Sequence, residues 1–155
     1  MADEVQERIS VAVPPDEVYA AVSDVRRMAV WSSECFAVWV WRRRGHQPER
    51  FIGWNRRAGY LWFTTCRVVT AEPGREFAFD VSTFGQPVSR WGYRLAPTAG
   101  GTLITEYWQD RRNRMSVTLG RVFTGRVAKR RPQANRDGMR QTLGRIKREL
   151  ERRSG

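Results

Sequence analysis

Between residues 60 and 108 the chain runs through three or four segments in which aromatic or aliphatic residues alternate with polar ones. Short Gly/Pro turns separate them, and a long amphipathic segment closes the sequence. Successive side chains of a strand point to opposite faces. Trp62, Thr64, Cys66 and Val68 therefore share a face, as do Phe77, Phe79 and Val81, and then Trp91, Tyr93 and Leu95. Glu72-Pro73-Gly74-Arg75 and Pro97-Thr98-Ala99-Gly100-Gly101 supply the fixed or positive φ values that tight antiparallel turns need. The connections are too short for parallel crossovers, so the pattern is a meander with one wide aromatic face.

The flanks extend it. Val5, Ile9, Val11 and Val13 alternate with polar residues, and Pro14-Pro15-Asp16 stops that strand and opens a helix with proline and acid at its first positions. Val18, Val22, Val25 and Met28 keep helical spacing as far as Trp31, which predicts two short helices with a break. Cys35 to Trp41 is apolar at every position and reads as a strand covered on both faces, followed by an exposed turn at Arg42-Arg43-Arg44-Gly45-His46. Phe51 to Arg57 and Thr102 to Trp108 add two more strands, the second placing Thr102, Ile104, Glu106 and Trp108 on one side. Residues 113–131 form a basic amphipathic segment with Met115, Leu119, Val122, Phe123 and Val127 on its stripe. Gly120 and Gly125 weaken it as a helix, and Pro132 ends it. From 133 to 153 a long helix carries Met139, Leu143, Ile146 and Leu150 at three- and four-residue steps, and the aromatic sheet face is its available partner.

Charge is unevenly placed. Residues 1–110 hold 13 basic and 13 acidic side chains, whereas 111–155 hold 15 basic against Asp137, Glu149 and Glu151, so the net +12 belongs to the last 45 residues. Such a field attracts anions, although the excess is almost all arginine, which codon bias also produces. The only cysteines, Cys35 and Cys66, lack a CxxC spacing and follow no secretory signal, which points to a reducing cytoplasm. The longest apolar run is seven residues, far short of the roughly 20 that span a bilayer. With one histidine, His46, in a basic turn, no catalytic triad or zinc set can be assembled, and no phosphate-cradling glycine loop is present. No cofactor and no metal are expected.

The order strand, two short helices, six antiparallel strands and a long final helix resembles the helix-grip fold of the START-like or Bet v 1-like superfamily, which includes the polyketide cyclase/dehydrase family. Val11-Ala12-Val13-Pro14-Pro15-Asp16-Glu17-Val18-Tyr19, Met28-Ala29-Val30-Trp31-Ser32, Trp62-Phe63-Thr64-Thr65-Cys66-Arg67-Val68, Pro73-Gly74-Arg75-Glu76-Phe77-Ala78-Phe79 and Gly100-Gly101-Thr102-Leu103-Ile104-Thr105-Glu106 are similar to bacterial members. The Arg-rich 111–131 segment departs from a minimal member. The resemblance implies an α+β chain of one domain over 1–155, with a curved antiparallel sheet wrapped around the last helix.

It also implies a cavity between sheet and helix. Its expected lining is Trp31, Asn55, Trp62, Thr64, Cys66, Phe77, Phe79, Trp91, Tyr93, Ile104, Glu106, Trp108 and Phe123. Asn55 and Glu106 are the polar members of apolar faces; burying either without a partner would cost about 1–3 kcal/mol. Glu106 is the weak catalytic candidate, since desolvation would raise its pKa towards values suited to proton transfer. Cys66 reads as a small buried hydrophobe. The expected partner is a small hydrophobic or aromatic molecule, lipid or polyketide-like. A cyclase, aromatase or dehydratase using the same pocket is the alternative. An anionic membrane surface touching 113–131 is a further candidate, Arg-driven nucleic-acid binding through the C-terminal third is a weaker alternative, and the protein is a monomer or a homodimer.

Overall fold

The computed structural model describes residues 4–112 and 131–154. Of the expected basic segment over 113–131, residues 113–130, with Leu119 and Phe123, lie outside the described residues, and so does the membrane surface assigned to them.

Seven strands form one antiparallel sheet: β1 (Glu4–Val11), β2 (Cys35–Arg44), β3 (Gln47–Arg57), β4 (Tyr60–Glu72), β5 (Glu76–Thr83), β6 (Gln86–Thr98) and β7 (Gly101–Asp110), in the order β1-β7-β6-β5-β4-β3-β2. All neighbours except β1 and β7 are consecutive in sequence, as a meander requires. Between β1 and β2 lie α1 (Pro15–Val22), a 3-10 turn (Val25–Arg27) and α2 (Met28–Trp31). Pro15 opens α1, followed by Asp16 and Glu17 in its first turn, where acids suit the positive end of the helix dipole. The final helix, α3 (Arg131–Ser154), begins slightly earlier than expected. Pro132 is its second residue rather than a terminator, a position where the missing N–H has no intrahelical partner to lose.

The expected inner faces meet in the core. Phe77, Phe79, Val81, Tyr93, Leu95 and Ile104 pack with Val13, Val18, Val22 and Val25 of the α1 region and with Leu143, Ile146 and Leu150 of α3. Val5, Trp108 and Met139 form a smaller adjoining cluster. The C-terminal half of α3 is fastened by polar contacts as well: Lys147 Nζ donates to the Ser10 carbonyl at 2.8 Å, Glu149 pairs with Arg27 at 2.5 Å, and Arg145 donates to the Trp31 carbonyl at 3.2 Å.

One expectation fails at β2. The Cys35–Trp41 run is not covered on both faces: β2 is a sheet edge, and Phe36, Trp39 and Trp41 are exposed, Trp39 by 59%. Among the described residues no layer lies over the outer face of the sheet, so continuous apolarity here marks an aromatic surface rather than a buried strand. The strand also continues through Arg44, leaving only Gly45 and His46 as the turn, and its pairing with β3 is irregular at three places between Cys35 and Arg43. Gly45 takes φ 63°, the left-handed conformation that favours glycine.

Candidate functional site

A cavity of about 100 Å³ lies between the N-terminal half of α3, the start of β2 and the inner faces of β3–β7. Each strand delivers alternate residues to it: Phe51, Gly53 and Asn55 from β3; Trp62, Thr64 and Cys66 from β4; Phe79 and Val81 from β5; Ser89, Trp91 and Tyr93 from β6; Glu106 from β7. Gly138, Met139 and Thr142 of α3 close it, with Met28 and the segment from Ser32 to Cys35 on the remaining side. Gly138 is needed for the close approach of helix and loop, because a Cβ there would stand 2.8 Å from Ser33 Oγ.

Asn55, Trp62, Thr64, Cys66, Phe79, Trp91, Tyr93 and Glu106 thus stand together as the sequence suggests. Trp31, Phe77, Ile104 and Trp108 do not line the cavity; all four are buried in the packed core, Trp108 beside Val5 and Met139. Alternation assigns a strand residue to a face but not to a depth, and Phe77, Ile104 and Trp108 fall where that face is packed, while Trp31 belongs to α2, where alternation does not apply. Phe123 lies outside the described residues. The residues missed carry weak signals. Ser89 continues the parity of Trp91 and Tyr93, and Thr142 is three residues beyond Met139 on the helical stripe. Cys35 enters because β2 pairs it with Asn55.

Glu106 is 3% exposed, and its Oε2 has no hydrogen-bond partner among the described residues. Tyr93, its register partner on β6, hydrogen-bonds to the carboxyl group. Burial pushes the Glu106 pKa up to about 8, against the smaller opposing effect of that hydrogen bond. Burial and the neighbouring Glu106 charge push Tyr93 well above its usual value, so it stays a neutral donor. Desolvation likewise raises Cys66 to about 12 and Cys35 to about 11. Both remain thiols at neutral pH, which removes them as nucleophiles. Near the rim, Asn55 Nδ2 donates to the Gly53 carbonyl at 3.2 Å and to Thr64 Oγ1 at 3.4 Å, and Glu34 pairs with Arg57 at 2.9 Å. Among the described residues no cluster of three or more His, Cys, Asp or Glu could hold a metal. No helix among them is long and apolar enough to cross a membrane.

Residues 2–151 match the model of the family described as polyketide cyclase/dehydrase and lipid transport. The chain belongs to the polyketide cyclase/dehydrase family. Among solved structures it is similar to a polyketide-cyclase-like protein of Corynebacterium glutamicum, with 28% identity over 97% of this chain and 93% of that one and a TM-score of 0.64. The Zhui aromatase/cyclase of Streptomyces sp. R1128 shares 18% identity over 100% and 97% of the two chains, with a TM-score of 0.78. A START superfamily protein of Mycobacterium smegmatis shares 14% over 94% and 97%, with a TM-score of 0.71. At those two identities the likeness is one of fold, and it identifies the sheet and final helix of this polyketide cyclase/dehydrase family member as a helix grip. A comparison with curated proteins gave no significant match.

Proposed function

We propose that the protein binds one compact, largely apolar or aromatic molecule in this cavity, with the polar end of the ligand at Glu106 and Tyr93. The observation that carries this reading is the buried Glu106 Oε2 left without a partner among the described residues, at a cavity wall made largely of rings, aliphatic chains, thiols and short polar side chains. An unsatisfied buried acceptor costs about 1–3 kcal/mol, which a ligand donor would recover. Apolar contact would supply the rest at about 25 cal/mol per Å². A volume near 100 Å³ is below the roughly 300–1,000 Å³ of drug-sized sites, so it suits a ring-sized ligand.

The competing reading is a cyclase, aromatase or dehydratase acting in the same pocket. It is favoured by the Glu106 pKa of about 8, near the value that general acid–base catalysis uses at neutral pH. It is disfavoured by the rest of the lining, which offers neither a histidine nor an ionised thiol as a second proton carrier. Native mass spectrometry of the protein as purified from its cells tests the binding reading: a retained small-molecule adduct, lost in Thr142→Leu, is expected. Incubation with a short poly-β-ketone separates the two readings, since a binder returns it unchanged and an enzyme returns a product lighter by water.

A further inference from the structure

Although the chain carries a net charge of +12, the cavity has no cationic side chain among the described residues that line it. Its two acids are Glu34, already paired with Arg57, and Glu106. Glu7, opposite Glu106 on β1, is paired with Arg136 at 3.3 Å and Arg140 at 3.2 Å. Glu106 is therefore the acid at this wall without a counter-ion among the described residues, and Phe51, Phe79, Trp62, Trp91 and Tyr93 line the space in front of it.

We infer that the cavity selects a small aromatic molecule bearing a basic nitrogen, an arylalkylamine or an N-heterocyclic base, and excludes aromatic carboxylates. This rests on the binding reading above. An ammonium or protonated ring nitrogen gives Glu106 Oε2 both the missing hydrogen bond and a counter-charge, and such charge-assisted bonds are roughly twice as strong as neutral ones. Tryptophan rings add cation–π attraction to the same ligand. A hydroxyl supplies the hydrogen bond alone. A carboxylate brings a like charge into a water-poor space where Coulomb repulsion is weakly screened.

The proton balance gives a signature. The amine arrives protonated, Glu106 releases its proton to solvent, and the bound state is an ammonium–carboxylate pair. The groups facing Glu106 do not compete for that proton. Tyr93 on β6, Cys66 on β4 and Cys35 on β2 stay protonated, Glu34 and Glu7 are held by arginines, and α3 contributes Gly138, Met139 and Thr142 at the cavity. Amine affinity therefore rises with pH up to about 8, the point at which Glu106 is already half ionised in the free protein.

Isothermal titration of the full-length protein with benzylamine, benzyl alcohol and benzoate, three probes of nearly one shape, tests this. At pH 7.5 benzylamine should bind about tenfold more tightly than benzyl alcohol, with benzoate giving no saturable heat. Benzylamine affinity should rise about fifteenfold from pH 6.5 to 8, with proton release read from an observed heat that varies linearly with the ionisation heat of the buffer. In Glu106→Gln the amine-to-alcohol ratio should fall to within about twofold and the proton release should vanish. Benzoate binding as tightly as benzylamine, or an amine-to-alcohol ratio unchanged in the variant, overturns the inference while leaving the pocket intact. Should none of the three probes bind the wild-type protein, both the inference and the binding reading fall. The wild-type proton release decides the matter even if the variant does not fold.

Discussion

The two ends of the sheet are built from the same strands and the same helix, yet one is filled and the other is hollow. Moving along β7 the inner face changes from Ile104 to Glu106, along β6 from Leu95 to Tyr93 and Ser89, along β4 from Val68 to Cys66 and Thr64, along β3 from Phe51 to Gly53 and Asn55, and along α3 from Ile146 to Thr142 and Gly138. At these positions five elements turn smaller or more polar, while Trp91 on β6, Trp62 on β4 and Trp108 on β7 stay large on the same faces. At the filled end, large apolar side chains close the gap between helix and strands; at the hollow end, short or hydrogen-bonding ones leave space with polar groups facing it. A binding site here is a gradient of side-chain size along a common scaffold, and no separate structural element is needed for it.

Substitutions at the two ends should therefore have opposite signatures, and the largest effect belongs to the filled end. Phe77→Ala removes a fully buried ring packed edge-on against Tyr19 at 6.3 Å between centroids. It should cost about 3–5 kcal/mol in urea unfolding, with less than a threefold change in ligand affinity; a large loss of affinity at unchanged stability would break the comparison. The next effect is pH-dependent and belongs to the hollow end. Glu106 holds its proton up to about pH 8 in the folded state against an ordinary value of 4.5. The folded protein therefore binds more protons than the unfolded chain between those limits, and its stability falls as pH rises through that window. The loss should be on the order of a few kcal/mol, visible as a falling Tm between pH 5 and 9. Glu106→Gln should flatten that slope, and an unaltered slope would assign it to other groups.

Two buried threonines sharpen the contrast. Thr102, at the filled end, donates to the Val13 carbonyl at 2.6 Å, so Thr102→Val leaves a buried acceptor unpaired and should cost about 1–3 kcal/mol by thermal melting. Thr142, at the hollow end, lines the cavity. Thr142→Val keeps the volume and should change stability by less than about 1 kcal/mol, while altering ligand affinity measurably; equal destabilisation by the two changes would deny the gradient.

Most of this fold can be read from period and punctuation. The inner faces of β4, β5, β6 and β7, the break between α1 and α2, and the buried stripe of α3 all follow from spacing, because each residue type there agrees with its neighbours. Asn55 and Glu106 were legible in the site because each interrupts an apolar face. Ser89, Thr142 and Gly138 were not, since a serine, a threonine or a glycine offers little contrast and only the packed helix shows that they leave room. Phe77, Ile104 and Trp108 share the parity of the lining but are packed into the core, Trp108 against Val5 and Met139, a depth that alternation does not encode, and Trp31 belongs to α2, where strand parity does not apply. The misreading of β2 has another origin: an apolar run looks the same whether a second layer covers it or not.

That edge carries its own safeguard. β1, the other end of the sheet, lies against α3, but β2 faces outward with exposed tryptophans along it. An unprotected strand of this composition would template the addition of further strands from other copies and seed fibrils. The three irregularities in its pairing, together with Arg42, Arg43 and Arg44, spoil both the flatness and the charge neutrality such stacking needs. An irregular, arginine-rich edge of this kind disfavours the addition of further strands beside its exposed rings.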